Sequence, residues 1–122
     1  MAIAYGSHEE RTLRAKASRL VTLAKYRART KGLDFELDRE WAYEELKRGT
    51  CSFSGIPFSY DRHPQHRTHP WAPSIHRKDS NAGYTKSNST LVATGVNKAI
   101  NNFTTQEFLL LAMAVLKKHN LH

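Results

Sequence analysis

Residues 73–98 read Pro73-Ser74-Ile75-His76-Arg77-Lys78-Asp79-Ser80-Asn81-Ala82-Gly83-Tyr84-Thr85-Lys86-Ser87-Asn88-Ser89-Thr90-Leu91-Val92-Ala93-Thr94-Gly95-Val96-Asn97-Lys98. A short β-branched run ends in an imidazole, a Gly83-Tyr84 turn follows, and Asn88 opens a second run of strand-forming residues. Nine residues beyond Asn88, Asn97 enters a helical pattern. The order strand, turn, strand, helix brings His76 and Asn97 together from distant points of the chain.

That constellation suits hydrolysis of a phosphodiester. The reaction needs a water deprotonated, charge on the phosphate neutralised and the leaving oxygen stabilised. A neutral imidazole accepts a proton near pH 7, which makes His76 the candidate general base. A hard divalent cation serves the other two needs and prefers oxygen ligands, which makes the Asn97 amide a candidate metal ligand. Asn88 is the candidate brace of the turn, because an amide side chain can pair with backbone groups that a tight loop leaves free.

The segment from His76 to Asn97 resembles the ββα-metal core of HNH endonucleases, in the order His, Asn, Asn. Upstream, Lys31-Gly32-Leu33-Asp34-Phe35, Trp41 to Leu46, Gly49-Thr50-Cys51 and Ser54-Gly55-Ile56-Pro57-Phe58 are similar to small phage-type HNH proteins. The resemblance spans roughly residues 11 to 118. It implies that the strand residue activates water or binds metal, the central Asn orders the loop, and the helix residue binds a divalent metal, magnesium first, with manganese as an alternative and zinc less favoured. These roles fall on His76, Asn88 and Asn97. In the subgroup most similar to this chain the strand commonly reads Ser, aliphatic, Asp, Arg, whereas here it reads Ser74-Ile75-His76-Arg77. His76 therefore stands either as base or where a carboxylate ligand usually stands. Ile75 cannot ligate, so a second ligand comes from water, from Asp79 or Asp61, or from the cluster His63, His66, His69. Arg77 is a further catalytic candidate, as a clamp on the scissile phosphate or a partner for a structural carboxylate.

Composition agrees with a nucleic-acid partner. The chain has 122 residues and a formal net charge of +8, and neutralising phosphates with such a surplus releases counterions. Between Arg11 and Lys31 there is no acidic residue. Leu13, Ala17, Leu20, Val21, Ala24 and Ala28 recur there at helical spacing, and Gly32 is a natural stop. A basic amphipathic helix is expected, with Arg14, Arg19, Lys25, Arg27 and Arg29 as candidate DNA contacts and Lys78, Lys86 and Lys98 adding contacts around the site. The one cysteine, Cys51, excludes an intrachain disulfide and a cysteine-based zinc knuckle, and its surroundings favour a buried structural thiol. No stretch approaches ~20 apolar residues and no signal peptide is visible, so a cytoplasmic protein is expected, in the host cytoplasm if phage-encoded.

Asp38 is placed to cap a second helix reaching about Arg48, with Trp41 and Leu46 on its buried side. Residues 59–72 read as an irregular loop in which Trp71 packs underneath or, as the alternative, stacks on a base. Thr104-Thr105-Gln106-Glu107 is a capping box for a last helix that is expected to pack against the first; its surplus apolar width also permits a dimer contact. The expectation is one α+β domain over residues 1–122: a basic helical part at about 8–50, a ββα-metal core at about 51–102 and a C-terminal helix at about 104–119 wrapped around it. The function expected is metal-dependent cleavage of double-stranded DNA by a monomer or homodimer, with a catalytically weak DNA-binding module of the same fold as the alternative.

Overall fold

The computed structural model describes residues 3–121. The elements run α1 (His8–Lys31), α2 (Arg39–Lys47), β1 (Pro73–Arg77), β2 (Ser89–Ala93), α3 (Thr94–Ile100) and α4 (Thr105–Lys118). Helix α1 starts where Ser7 caps it, accepting from the Glu10 amide at 3.1 Å. It stops at Gly32, whose φ of 68° places it in the left-handed region, while the Leu33 amide reaches back to the Ala28 carbonyl at 2.8 Å. Its buried stripe is Leu13, Ala17, Val21, Ala24 and Ala28. Three alanines in that stripe let α2 approach closely, with Ala42, Tyr43 and Leu46 turned inward. Asp38 caps α2 as expected, accepting from the Trp41 amide at 2.8 Å, but Tyr43 rather than Trp41 is the buried aromatic.

The two strands form an antiparallel hairpin with Ile75 opposite Leu91, His76 opposite Thr90 and Ser74 opposite Val92. Side chains alternate across a strand. Ile75 and Leu91 therefore join the helical core with Leu37, Leu46 and Tyr84, while Val92 packs with Cys51 and Ala93 in a second cluster that includes Val96 of α3. The other face of β1 carries Ser74 and His76. Helix α3 continues from β2 with no intervening loop, and its start is pinned from outside: the Thr94 amide donates to the Ala72 carbonyl at 2.8 Å, and its hydroxyl donates to the same oxygen.

The hairpin loop is tied to the segment after α1. The Tyr84 amide donates to the Asp34 carbonyl and the Glu36 amide to the Tyr84 carbonyl, both at 2.8 Å. Gly83 makes this approach possible, since a Cβ there would lie 2.5 Å from the Asp34 carbonyl oxygen. Its role is close backbone contact.

Helix α4 corrects one expectation. Its capping box forms, with Thr104 and Glu107 bonding reciprocally at 2.8 and 3.1 Å, yet none of its residues is buried and it does not pack against α1. Phe108 lies on Phe53, ring centroids 5.8 Å apart; the long loop before the hairpin, not α1, is what it touches.

Replacing Gly83 with Ala is expected to cost about 1–3 kcal/mol by forcing the Asp34 backbone away, read as a lower urea midpoint with little change in slope. Asp38 supplies a pH prediction. The Trp41 amide, and after it the Lys86 ammonium, hold its carboxylate below the ordinary range, so its stabilising contribution is complete above the unfolded-state value and lost as pH falls through the lower folded one. Asp38→Asn should flatten the acid limb of a thermal-stability profile below about pH 4.

Candidate active site

His76 and Asn97 meet. His76 Nδ1 lies 3.0 Å from Asn97 Oδ1, across the junction of β1 and α3. The Asn97 amide is oriented by its other end: Nδ2 donates to the Ile75 carbonyl at 3.1 Å and to Ser74 Oγ at 2.9 Å. A carbonyl only accepts, so the nitrogen must face Ile75 and the oxygen must face His76. Alternation along β1 places Ser74 and His76 on one face with the Ile75 carbonyl between them, and one turn of α3 carries Asn97 over all three.

Asn88 spans the hairpin loop. Its Nδ2 donates to the carbonyls of Asp79 at 3.1 Å and Gly83 at 2.9 Å, and its Oδ1 accepts from the Asp79 amide at 2.9 Å. One side chain thus pairs three backbone groups of the loop, of which the Asp79 carbonyl also accepts from the Ala82 amide at 3.2 Å. Arg77 also serves this loop. Its Nη1 donates to the carbonyls of Ser80 at 2.6 Å and Ala82 at 3.0 Å, and the guanidinium lies over the Tyr84 ring. The same residue also lines the cavity beside His76.

Above His76 and Asn97 opens a cavity of about 320 Å³ whose wall includes Arg27, Lys31, Arg77 and Lys98. Arg27 and Lys31 are one helical turn apart at the end of α1 and carry no ion pair among the described residues. Lys31 was not singled out by sequence; its four-residue spacing from Arg27 was the signal that marks a shared face. The remaining basic candidates divide. Arg19, Lys25 and Arg29 are exposed on α1, and Lys78 is exposed beside β1. Arg14 bridges Glu10 and Glu40 at 3.0 Å each and lies 3.9 Å over the Tyr43 ring, tying α1 to α2 while its side chain stays 43% exposed. Hydrogen bonds to Glu40 and then Glu10 raise its already high pKa. Lys86 likewise pairs with Asp38 at 3.4 Å.

The second ligand expected from an acid or a histidine is not marked by a cluster in the described residues. No group of three or more His, Cys, Asp or Glu side chains able to hold a metal occurs among them. Asp79 Oδ1 accepts from the Asn81 amide inside its own loop. The rings of His63, His66 and His69 do gather, with centroids 4.7 and 5.3 Å from that of His63. Yet Nδ1 of His63 accepts from the Gln65 amide and Nδ1 of His69 from the Trp71 amide. A neutral ring with Nδ1 as acceptor carries its hydrogen on Nε2 and has no lone pair left to offer. Trp71 itself is half exposed, at 50%, rather than packed beneath the loop.

With this geometry in place, one solved structure is informative: the rare-cutting HNH restriction endonuclease PacI, at a TM-score of 0.60 and 21% identity over 84% of this chain and 78% of that chain. The likeness is one of fold, and it makes the hairpin with α3 an HNH-type ββα core. No family model matches the chain, and no curated protein does.

Asn88→Ala removes three hydrogen bonds to loop backbone, of which the one to the Gly83 carbonyl is partly buried. It is expected to destabilise the chain by about 2–3 kcal/mol and to accelerate amide hydrogen exchange at Asp79, while exchange within α1 at Ala17 changes only through the global term.

Proposed function

We propose that this protein is a divalent-metal-dependent endonuclease that hydrolyses phosphodiester bonds of double-stranded DNA. The observation that carries the proposal is the 3.0 Å approach of His76 Nδ1 to Asn97 Oδ1 at the floor of a cavity walled by Arg27, Lys31 and Lys98. Two donors at ~2.1 Å from an octahedral cation, in adjacent positions, lie about 3.0 Å apart, so the pair fits magnesium or manganese. With two protein donors, most of the shell is left to water and phosphate, which suits a cation that sheds water reluctantly. A bound cation would supply Lewis-acid stabilisation of the charge developing on the phosphate and the leaving oxygen.

The protein's own part follows from its contacts. Ser74 and the Ile75 carbonyl hold Asn97 so that its oxygen stays turned to the site. Asn88 and Arg77 hold the loop from which β1 emerges, and with it the position of His76. Arg27, Lys31 and Lys98 bring three cations to the wall against which a phosphate backbone would lie, and the flexible stems of the lysines let them follow it. The exposed Arg19, Lys25 and Arg29 extend the positive surface along α1 and favour encounter with a polyanion at low salt. An HNH-type fold in PacI, a DNA-cutting enzyme by its description, agrees with this reading.

A second reading of His76 rests on the same distance. If Nδ1 carries a hydrogen, it donates to Asn97 Oδ1, and Nε2 is left with a lone pair able to take a proton from water; Oδ1 retains a second lone pair for a cation. The two readings differ in what a carboxylate does at position 76. His76→Asp keeps a ligand and is expected to sustain or increase cutting in magnesium under the first; under the second it abolishes cutting.

Supercoiled plasmid incubated with the protein and magnesium or manganese should become nicked or linear, and chelator should stop the reaction. His76→Ala and Asn97→Ala are each expected to lower the rate by about 10- to 100-fold or more. Full activity in chelator, or in both alanine variants, would sink the proposal. For binding, Arg27→Ala and Lys31→Ala should weaken affinity for duplex and reduce the salt slope by about one each. Arg14→Ala should instead lower thermal stability and leave the salt slope unchanged.

A further inference from the structure

Nine successive apolar residues, Phe108 to Leu116, make up the middle of α4. Over about two and a half turns the helix is thus apolar on every side, and such a helix is stable in water only when covered on more than one side. Its own chain covers one side. Phe108 and Ala112, a turn apart, are partly covered, Phe108 by Phe53, whereas Leu110, Leu111, Met113 and Val115 keep 51 to 64% of their surface exposed. The face turned away from Phe108 and Ala112 carries Leu110, Met113, Ala114 and Lys117, with Leu121 beyond, along an open apolar groove of about 620 Å³.

We propose that this face is the seam of a homodimer in which two copies of α4 pack antiparallel about a two-fold axis. The charges on α4 select that occupant and that direction. The helix has an acid in its first turn, Glu107, bases in its last, Lys117 and Lys118, and nothing charged between. Antiparallel pairing sets each Glu107 against the Lys117 and Lys118 of the other copy, and the two-fold axis makes this contact twice. Parallel pairing would set like charges together. Ala114 at the middle of the groove permits close approach of the two helices at the crossing. The inference uses α4 alone and stands whether or not the chain cleaves DNA; if it does, the axis relates two identical sites, one for each strand of a duplex.

Sedimentation equilibrium of the full chain from low to high micromolar concentration tests it. The expected result is a reversible dimer. Met113→Asp should leave a folded monomer whose thermal midpoint is lower than that of the dimer and no longer rises with protein concentration. Lys117→Glu with Lys118→Glu should raise the dissociation constant by about tenfold or more through like-charge repulsion against Glu107, and adding Glu107→Lys to that variant should recover most of the loss. A wild-type chain that stays monomeric across the range overturns the proposal. If that monomer also loses thermal stability on Met113→Asp, α4 is covered by its own core; if it instead co-sediments with vesicles of anionic lipid, the face belongs to a membrane surface. Dimerisation untouched by both the Met113 and the lysine variants also overturns it, because the contact then lies elsewhere.

Discussion

The site depends on the orientation of one amide. Asn97 reaches back from α3 to β1, its nitrogen on the Ile75 carbonyl and Ser74 hydroxyl and its oxygen on His76. Those bonds exist because β2 runs into α3 without a loop, so α3 lies across the face of the hairpin that carries Ser74 and His76. The start of α3 is held in turn by the segment preceding β1. The Gly95 amide donates to the Pro70 carbonyl at 2.6 Å, and a Cβ on Gly95 would sit 3.2 Å from that oxygen. The geometry of the His76–Asn97 pair is therefore a property of a closed circuit, from residue 70 through β1 and the loop to β2, α3 and back to residue 70.

Helix α1 does two jobs on two faces. Its alanine-rich stripe lets α2 and the hairpin approach, and this burial supplies most of the core. The opposite face keeps its cations in water, and only the C-terminal end comes near His76. That placement separates residues that look alike in sequence. Arg14, at the other end, has Glu10 and Glu40 within 3.0 Å and becomes a strut between helices; Arg27 and Lys31 form no ion pair among the described residues and line the cavity. A basic run is a single composition with different fates, set by where the acids of α1 and α2 fall.

Helix α4 shows how local and global determinants part company. Its cap, its length and its apolar centre are all encoded nearby in sequence, and the helix forms. What covers it is not local. The core formed by α1, α2 and the hairpin is complete without it, since the buried stripe of α1 is already matched by Ala42, Tyr43, Leu46, Ile75 and Leu91, and α4 is left with Phe53 on one side and a second copy, on the inference above, on the other.

The sequence by itself determined the order of elements and the identity of the residues that meet. Capping residues Asp38 and Thr104, the stop at Gly32, alternation around Ile75 and the nine-residue step from Asn88 to Asn97 are signals carried by near neighbours in the chain. Asn88 was legible as a brace for the same reason: the groups it pairs lie within nine positions. Tertiary structure alone decided that Gly83 serves a backbone contact 49 positions away with Asp34, that Arg14 and Lys86 are tied to acids while Lys31 lines the cavity, that Arg77 holds loop carbonyls, and that α4 leaves α1 untouched. Each of these depends on distance between segments remote in the chain. Side-chain type states what a residue can bind, but only the packed fold states what lies within 3 Å of it.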